Sequence, residues 1–135
     1  MKGGQGFYTY EKGRETGVSE TIYSELGTAA PAQRVKLEDQ DIRMRLILQM
    51  INEASRTLEE GIVRSAQEVD LAMIMGTGFP PFRGGLLRFA DTVHPRGVLD
   101  RLKRFENECG DRFTPSPILE RLAAEDRSFY RAFPT

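Results

Sequence analysis

The chain carries one histidine, His94, and one cysteine, Cys109, and these bound the chemistry it can do. Two such ligands are too few for a zinc site built from Cys and His alone. A catalytic histidine needs an orienting acid and a substrate pocket. Asp91 lies three residues before His94, so the two could share a helix face. The alternative places His94 at a helix C-terminus, where a partial positive charge suits the dipole, and it is the preferred reading. Cys109 recurs with Val98, Leu102 and Phe105 on an apolar stripe and reads as a buried, inert thiol. No Ser or Asp is tied to the lone histidine by spacing, so a nucleophilic triad is not supported. The carboxylates Glu53, Glu59, Glu60, Glu68 and Asp70 read as helix-surface and capping residues.

Glycines and arginines are the remaining candidates. Gly3-Gly4-Gln5-Gly6 and Gly76-Thr77-Gly78 lack both the strand-to-helix context of a dinucleotide loop and the Gly-Lys-Ser/Thr end of a phosphate loop. They read as turn and cap glycines. Arg83, Arg88, Arg96, Arg101, Lys103 and Arg104 could grip phosphates, since arginine forks suit them. A solvated face balanced by Asp91, Asp100, Glu106 and Glu108 is the preferred account. The most distinctive stretch is Gly78 to Gly85, a stiff apolar loop with two prolines and two phenylalanines. Such loops plug a core, dock a neighbour or carry a site.

Helices must position these residues. Met44, Ile47, Ile51, Ala54 and Leu58 recur at three- and four-residue steps, with Leu46 and Met50 widening the stripe. Asn52 falls largely outside it. Asp39 or Asp41 is expected to cap this helix, and Gly61 to end it in the left-handed conformation. Ser65-Ala66-Gln67-Glu68 has capping-box spacing and opens a helix expected to stop at Gly76. Further helices are expected through Leu86–Val93, from there to Gly110 with a break at His94-Pro95, and from Ser116-Pro117. Phe129, Tyr130 and Phe133 close the chain.

The first forty residues differ. Six of the thirteen glycines fall between Gly3 and Gly27. Phe7-Tyr8-Thr9-Tyr10 has strand-like composition, Glu11 to Gly17 is charged and turn-like, and Ala29-Ala30-Pro31-Ala32 reads as a linker. The expected division is an irregular arm and linker with an aromatic anchor over 1–38, and a helical domain of about five helices over 39–135. No alternation long enough for a sheet follows residue 40, so the class is all-α.

Composition agrees with a soluble domain of 135 residues. Nineteen basic against twenty acidic residues, a net charge of −1, argue against a dedicated nucleic-acid binder. No apolar run approaches a membrane span, and the N-terminus lacks a signal-like stretch, so the expected compartment is cytoplasmic, with an organelle lumen as the alternative.

Taken in order, Asn52-Glu53-Ala54, Leu58-Glu59-Glu60-Gly61-Ile62-Val63, Val69-Asp70-Leu71-Ala72-Met73 and Gly78-Phe79-Pro80-Pro81-Phe82-Arg83-Gly84-Gly85 resemble the C-terminal domain of 3-hydroxyacyl-CoA dehydrogenases. The likeness is to the end of the long bifunctional chains of fatty-acid β-oxidation, which join an enoyl-CoA hydratase to that dehydrogenase. Arg112 to Leu119 with Phe129-Tyr130 looks like their terminus. Gly4 to Tyr10 is similar to the glycine-aromatic segment closing their preceding dehydrogenase domain.

The resemblance implies a helical domain like the C-terminal domain of 6-phosphogluconate dehydrogenase, following a Rossmann domain that binds NAD and holds the catalytic histidine and glutamate. None of that domain is here, so the resemblance implies no catalytic, cofactor-binding or metal residue in this chain. The first of two related helical domains in such chains has an Asn-Arg pair early in its long helix, and that Asn contributes to the active site. Met44 and Arg45 stand at the matching positions, and a methionine cannot donate the amide hydrogen bond. The chain therefore reads as the second, non-catalytic copy. Its family loop usually reads Gly-Pro-Phe and is altered here to Pro80-Pro81-Phe82-Arg83.

The expected partners are the Rossmann and first helical domains of the parent chain, with acyl-CoA reached through the parent and a homodimer as a further option. The expected docking surface is Phe7, Tyr8 and Tyr10 with Phe79, Pro80, Pro81, Phe82 and Arg83. The rival reading is a stand-alone acyl-CoA-binding or self-associating helical module.

Overall fold

A computed structural model describes residues 6–27 and 36–135. The glycine start over 1–5 and the Ala29–Ala32 linker lie outside the described residues. The chain divides into two compact units, Met1–Leu37 and Glu38–Thr135.

In the first unit β1 (Tyr8–Glu11) pairs antiparallel with β2 (Arg14–Val18), and α1 (Thr21–Glu25) follows. The aromatic run supplies the first strand. Its partner lies in the stretch read as charged and turn-like. Lys12 and Gly13 both take positive φ, 49° and 79°, which gives the tight hairpin turn whose twist matches the strands. Register runs Tyr8 to Val18, Thr9 to Gly17, then Tyr10 to Glu15 after a bulge. Thr9 and Thr16 hydroxyls meet at 3.0 Å, and the Ser19 N–H closes back on the Phe7 carbonyl at 2.9 Å.

The second unit is helical: α2 (Asp39–Glu59), α3 (Ala66–Thr77), α4 (Leu86–Val93), α5 (Pro95–Cys109), α6 (Pro117–Ala124) and α7 (Phe129–Ala132). Single 3₁₀ turns occupy Pro81–Arg83 and Asp111–Phe113. With the fold class, two short helices appear that periodicity alone did not mark, α1 and α7. Both are too short to show a repeat.

Helix ends follow local chemistry, with corrections. The Ser65 hydroxyl accepts the Glu68 N–H at 3.2 Å, and Glu68 reaches back to the Arg64 N–H at 2.9 Å, one residue earlier than a standard capping box. Ser116 accepts the Leu119 N–H, with Pro117 at the first helical position. Asp39 and Asp41 cap nothing. Glu38 holds the N-cap position without a side-chain bond, and both aspartates sit inside the first turn, where their charge suits the dipole. The third element does not stop at Gly76; it runs to Thr77, and Gly78 supplies the left-handed cap at φ 72°.

The core is the meeting of α2, α4, α5 and α6. Leu48, Ile51 and Leu58 of α2 face Leu86, Leu87 and Ala90 of α4, Val98, Leu102 and Phe105 of α5, and Leu119 and Leu122 of α6, all buried. Each such side chain contributes about 1.5–3 kcal/mol by leaving water. Phe105 and Phe113 rings pack with centroids 5.4 Å apart.

The stripe read along α2 is corrected here. Leu48, absent from it, is fully buried, whereas Met44, Ile47 and Met50 are only half-buried and Leu46 is 65% exposed. Asn52, placed outside the stripe, is 1% exposed. An amide can be buried when both its ends are bonded, and these are. Its Nδ2 donates to the Thr114 carbonyl and its Oδ1 accepts the Ser116 N–H, each at 2.8 Å.

Candidate functional site

The apolar arc of α2 is wider than its core needs. Beside the buried face runs a second strip of Arg43, Met44, Ile47, Met50 and Thr57, and it lines two open clefts that share Met50 and together are called the groove. At one end the walls are Phe79, Pro80, Phe82, Arg83 and Phe89, enclosing about 670 Å³. At the other they are Ile62, Val63, Val69, Ala72 and Met73, enclosing about 610 Å³. Met50 belongs to both.

The loop at Gly78–Gly85 makes the first wall. Two prolines stiffen it and a 3₁₀ turn directs alternate residues. Phe79 points inward, buried against the core, while Phe82 stands 82% exposed. The Arg83 guanidinium lies over both the Phe82 and Phe89 rings, at 5.5 and 5.8 Å. The loop thus has one anchoring and one outward-facing phenylalanine.

What fixes the start of α4, where the loop ends, is a buried carboxylate. Asp70, 2% exposed, accepts the Leu87 N–H at 2.6 Å, the Arg88 N–H at 3.0 Å and the Tyr130 hydroxyl at 2.8 Å. It caps α4 from another helix, a favourable place for negative charge. The approach requires Gly85, where a Cβ would fall 2.2 Å from the Asp70 Cγ and the backbone holds φ at 117°. Burial, with the bond to Asp70, pushes the Tyr130 phenol up to about 12. The Arg88 guanidinium covers the Tyr130 ring at 3.5 Å.

Asp91 acts likewise. It accepts the Phe129 and Tyr130 N–H groups at 2.7 and 3.1 Å and caps α7. Burial raises its pKa against the lowering effect of those donors. Its oxygens therefore face α7. His94 lies exposed between α4 and α5, its backbone at φ 65°. Cys109 is half-buried at the end of α5, packed against the core.

The basic set is spread over several surfaces. Arg96 meets Asp100 at 3.9 Å, Lys103 meets Glu120 at 3.3 Å, and Arg104 meets Asp41 and Glu108, each at 3.0 Å. Arg101 bonds the Gly97 carbonyl at 2.9 Å. Asp41 and Glu120 enter this balance, which the sequence assigned to other acids. Among the described residues no group of three or more His, Cys, Asp and Glu is placed to hold a metal. No described helix is long and apolar enough to cross a membrane.

Phe7, Tyr8 and Tyr10 lie exposed on the first unit, where Phe7 and Tyr8 share a concavity of about 310 Å³ with Val18, Ile22, Tyr23 and Leu26. On the second unit Phe79, Pro80, Phe82 and Arg83 line the groove, with Pro81 exposed in the turn between them. Spacing did not identify the groove floor. Met44, Ile47 and Met50 read as core because a second apolar face has the same period as the first. Their flanking by Leu46 was the available signal.

An all-helical domain with a stiff apolar loop set against its long helix defines the class. Residues 42–131 match the model of the 3-hydroxyacyl-CoA dehydrogenase C-terminal domain, and the chain belongs to that family. It is 41% identical over 131 residues to a fatty acid oxidation complex subunit alpha of Shewanella amazonensis, and 41% identical over 129 residues to that of Vibrio parahaemolyticus. Each match covers 96% of this chain and 18% of the relative. The chain therefore spans less than a fifth of the length of these curated relatives.

Proposed function

We propose that the chain is the terminal helical domain of an NAD-dependent 3-hydroxyacyl-CoA dehydrogenase, that it docks and supports the catalytic domains, and that it performs no chemistry alone. The parent oxidises 3-hydroxyacyl-CoA to 3-ketoacyl-CoA, on a chain that also hydrates enoyl-CoA, in the cytoplasm. NAD belongs to the parent's Rossmann domain. The observation that carries the docking role is the exposed apolar groove with Phe82 at its rim. The buried Asp70 and half-buried Asp91 support the inactive reading. Asp70 and Asp91 are both committed to helix N-termini, and Met44 offers no amide where the resemblance asks for one.

Two docking contacts are proposed, one on each unit: the loop Phe79 to Arg83 on the helical unit, and Phe7, Tyr8 and Tyr10 on the hairpin unit, with the Rossmann and first helical domains of the parent as partners. A two-stranded hairpin with exposed aromatics is marginal by itself and gains from a partner. The test is NADH formation by the purified 135-residue chain supplied with NAD and 3-hydroxybutyryl-CoA. No turnover is expected; sustained hydroxyacyl-CoA-dependent NADH formation would refute the assignment.

A further inference from the structure

A further cleft, of about 630 Å³, lies between α2 and the end of α5. Arg45, Leu46 and Gln49 of α2 form one wall, and Cys109, Arg112 and Phe113 form the other. Arg45 and Gln49 are four residues apart and so project from one face of the helix. No carboxylate is among the lining residues. Two guanidinium groups and an amide therefore meet beside apolar walls.

The hydrogen-bonding capacity of these groups is largely unspent. Arg112 is exposed and forms no hydrogen bond or ion pair among the described residues, and the same holds for the Gln49 amide. Arg45 is half-buried, its guanidinium held over the Phe105 ring at 5.2 Å. Its Nε is buried and has no hydrogen-bond partner among the described residues. Its ion-pair partner, Glu108, stands 3.8 Å away, too far for a hydrogen bond, and accepts from Arg104 at 3.0 Å instead. Stacking thus positions the Arg45 group and leaves donors open, and a buried donor without an acceptor is costly.

We propose that this cleft binds a small monocarboxylate with a short apolar body. The carboxylate lies between Arg45 and Arg112, and the body rests against Leu46 and Phe113. Planar guanidinium forks match the two coplanar oxygens of a carboxylate. The Gln49 amide adds a further donor. Glu108 offsets part of the Arg45 charge, so the site suits a single negative charge better than the doubled charge of a phosphate monoester. A cleft of this size fits a small molecule. The site binds and does not react. NAD and coenzyme A carry phosphates and no carboxylate, so the proposal stands independently of the docking assignment.

The probe is hexanoate, titrated into the 135-residue chain isotopically labelled at nitrogen. Arginine Nε–H signals report the site directly, those of Arg45 and Arg112 being assigned by their loss in Arg45→Lys and Arg112→Lys. Both are expected to shift saturably, while that of Arg96, paired with Asp100 outside the cleft, stays in place. Cys109, the chain's one cysteine, gives a second readout. Its alkylation by iodoacetamide is expected to slow saturably as hexanoate fills the cleft. Hexanamide keeps the body and loses the charge, and is expected to bind roughly tenfold more weakly, as is hexanoate to Arg112→Gln. Arg112 is exposed and unpaired, so its replacement is expected to leave the fold unchanged by circular dichroism. Unmoved Arg45 and Arg112 signals would overturn the proposal, as would undiminished hexanoate binding to Arg112→Gln. So would equal binding of hexanamide, meaning an apolar cleft only, or tighter binding of inorganic phosphate, meaning a phosphate site. None of these outcomes touches the turnover assay, so the two readings fail separately.

Discussion

Two side chains show how residues far apart in sequence fix the helical unit. Asp70 reaches the α4 N-terminus only because Gly85 has no Cβ, the built atom falling 2.2 Å from the carboxylate carbon. Gly85→Ala is expected to lose about 3 kcal/mol or more in urea unfolding, from the clash and the positive φ together. An unchanged midpoint would mean that the carboxylate caps nothing. Asn52 pins the chain entering α6 through paired 2.8 Å bonds, so Asn52→Ala is expected to cost about 2–4 kcal/mol and to leave the buried Ser116 N–H without its acceptor. Neither pairing was legible in the sequence. Gly85 showed itself as a helix breaker and Asp70 as a capping residue, but the partner of each is set by how α3 meets α4. Ser65, Ser116 and Gly61 were legible because their partners lie within a few residues.

Among the elements, α7 and the start of the Gly78–Gly85 loop each rest on a few identifiable contacts. α7 is held by Asp91 at its N-terminus and by the Tyr130 hydroxyl on Asp70. The folded chain keeps the Tyr130 proton to about pH 12, whereas an unfolded tyrosine loses it near 10.0. The resulting stability is intact below pH 10 and is lost as pH rises from 10 toward 12. Alkaline unfolding followed by helical circular dichroism is expected to show this step in the native chain and not in Tyr130→Phe; the same step in both would remove Tyr130 as its source. In the loop, Phe79→Ala is expected to cost about 3–5 kcal/mol and Phe82→Ala less than about 0.5, since one ring is buried and the other open to water. Equal costs would contradict the anchoring and outward-facing roles. Periodicity revealed α2 through α6 but fused two faces of α2 into one stripe. Core and groove floor repeat with the same 3.6-residue period, and only packing tells them apart.

At the scale of the whole molecule, the chain comprises a helical unit with an apolar groove along α2 and a small hairpin unit, within a family whose curated relatives are several times longer. The class of fold was legible throughout, because helix periods, cap serines and punctuating glycines agree with one another. Of the apolar groove only the loop Phe79 to Arg83 was legible, since exposure is a property of what the rest of the chain leaves uncovered. A supporting domain of the kind proposed leaves ligand chemistry to the rest of the parent. Calorimetric titration of the purified chain with NAD, coenzyme A and acetoacetyl-CoA tests it most directly. No binding heat is expected with any of the three. Saturable binding of coenzyme A or acetoacetyl-CoA would contradict it and make the chain an acyl-CoA-binding module, and saturable binding of NAD would place a cofactor site where the account has none.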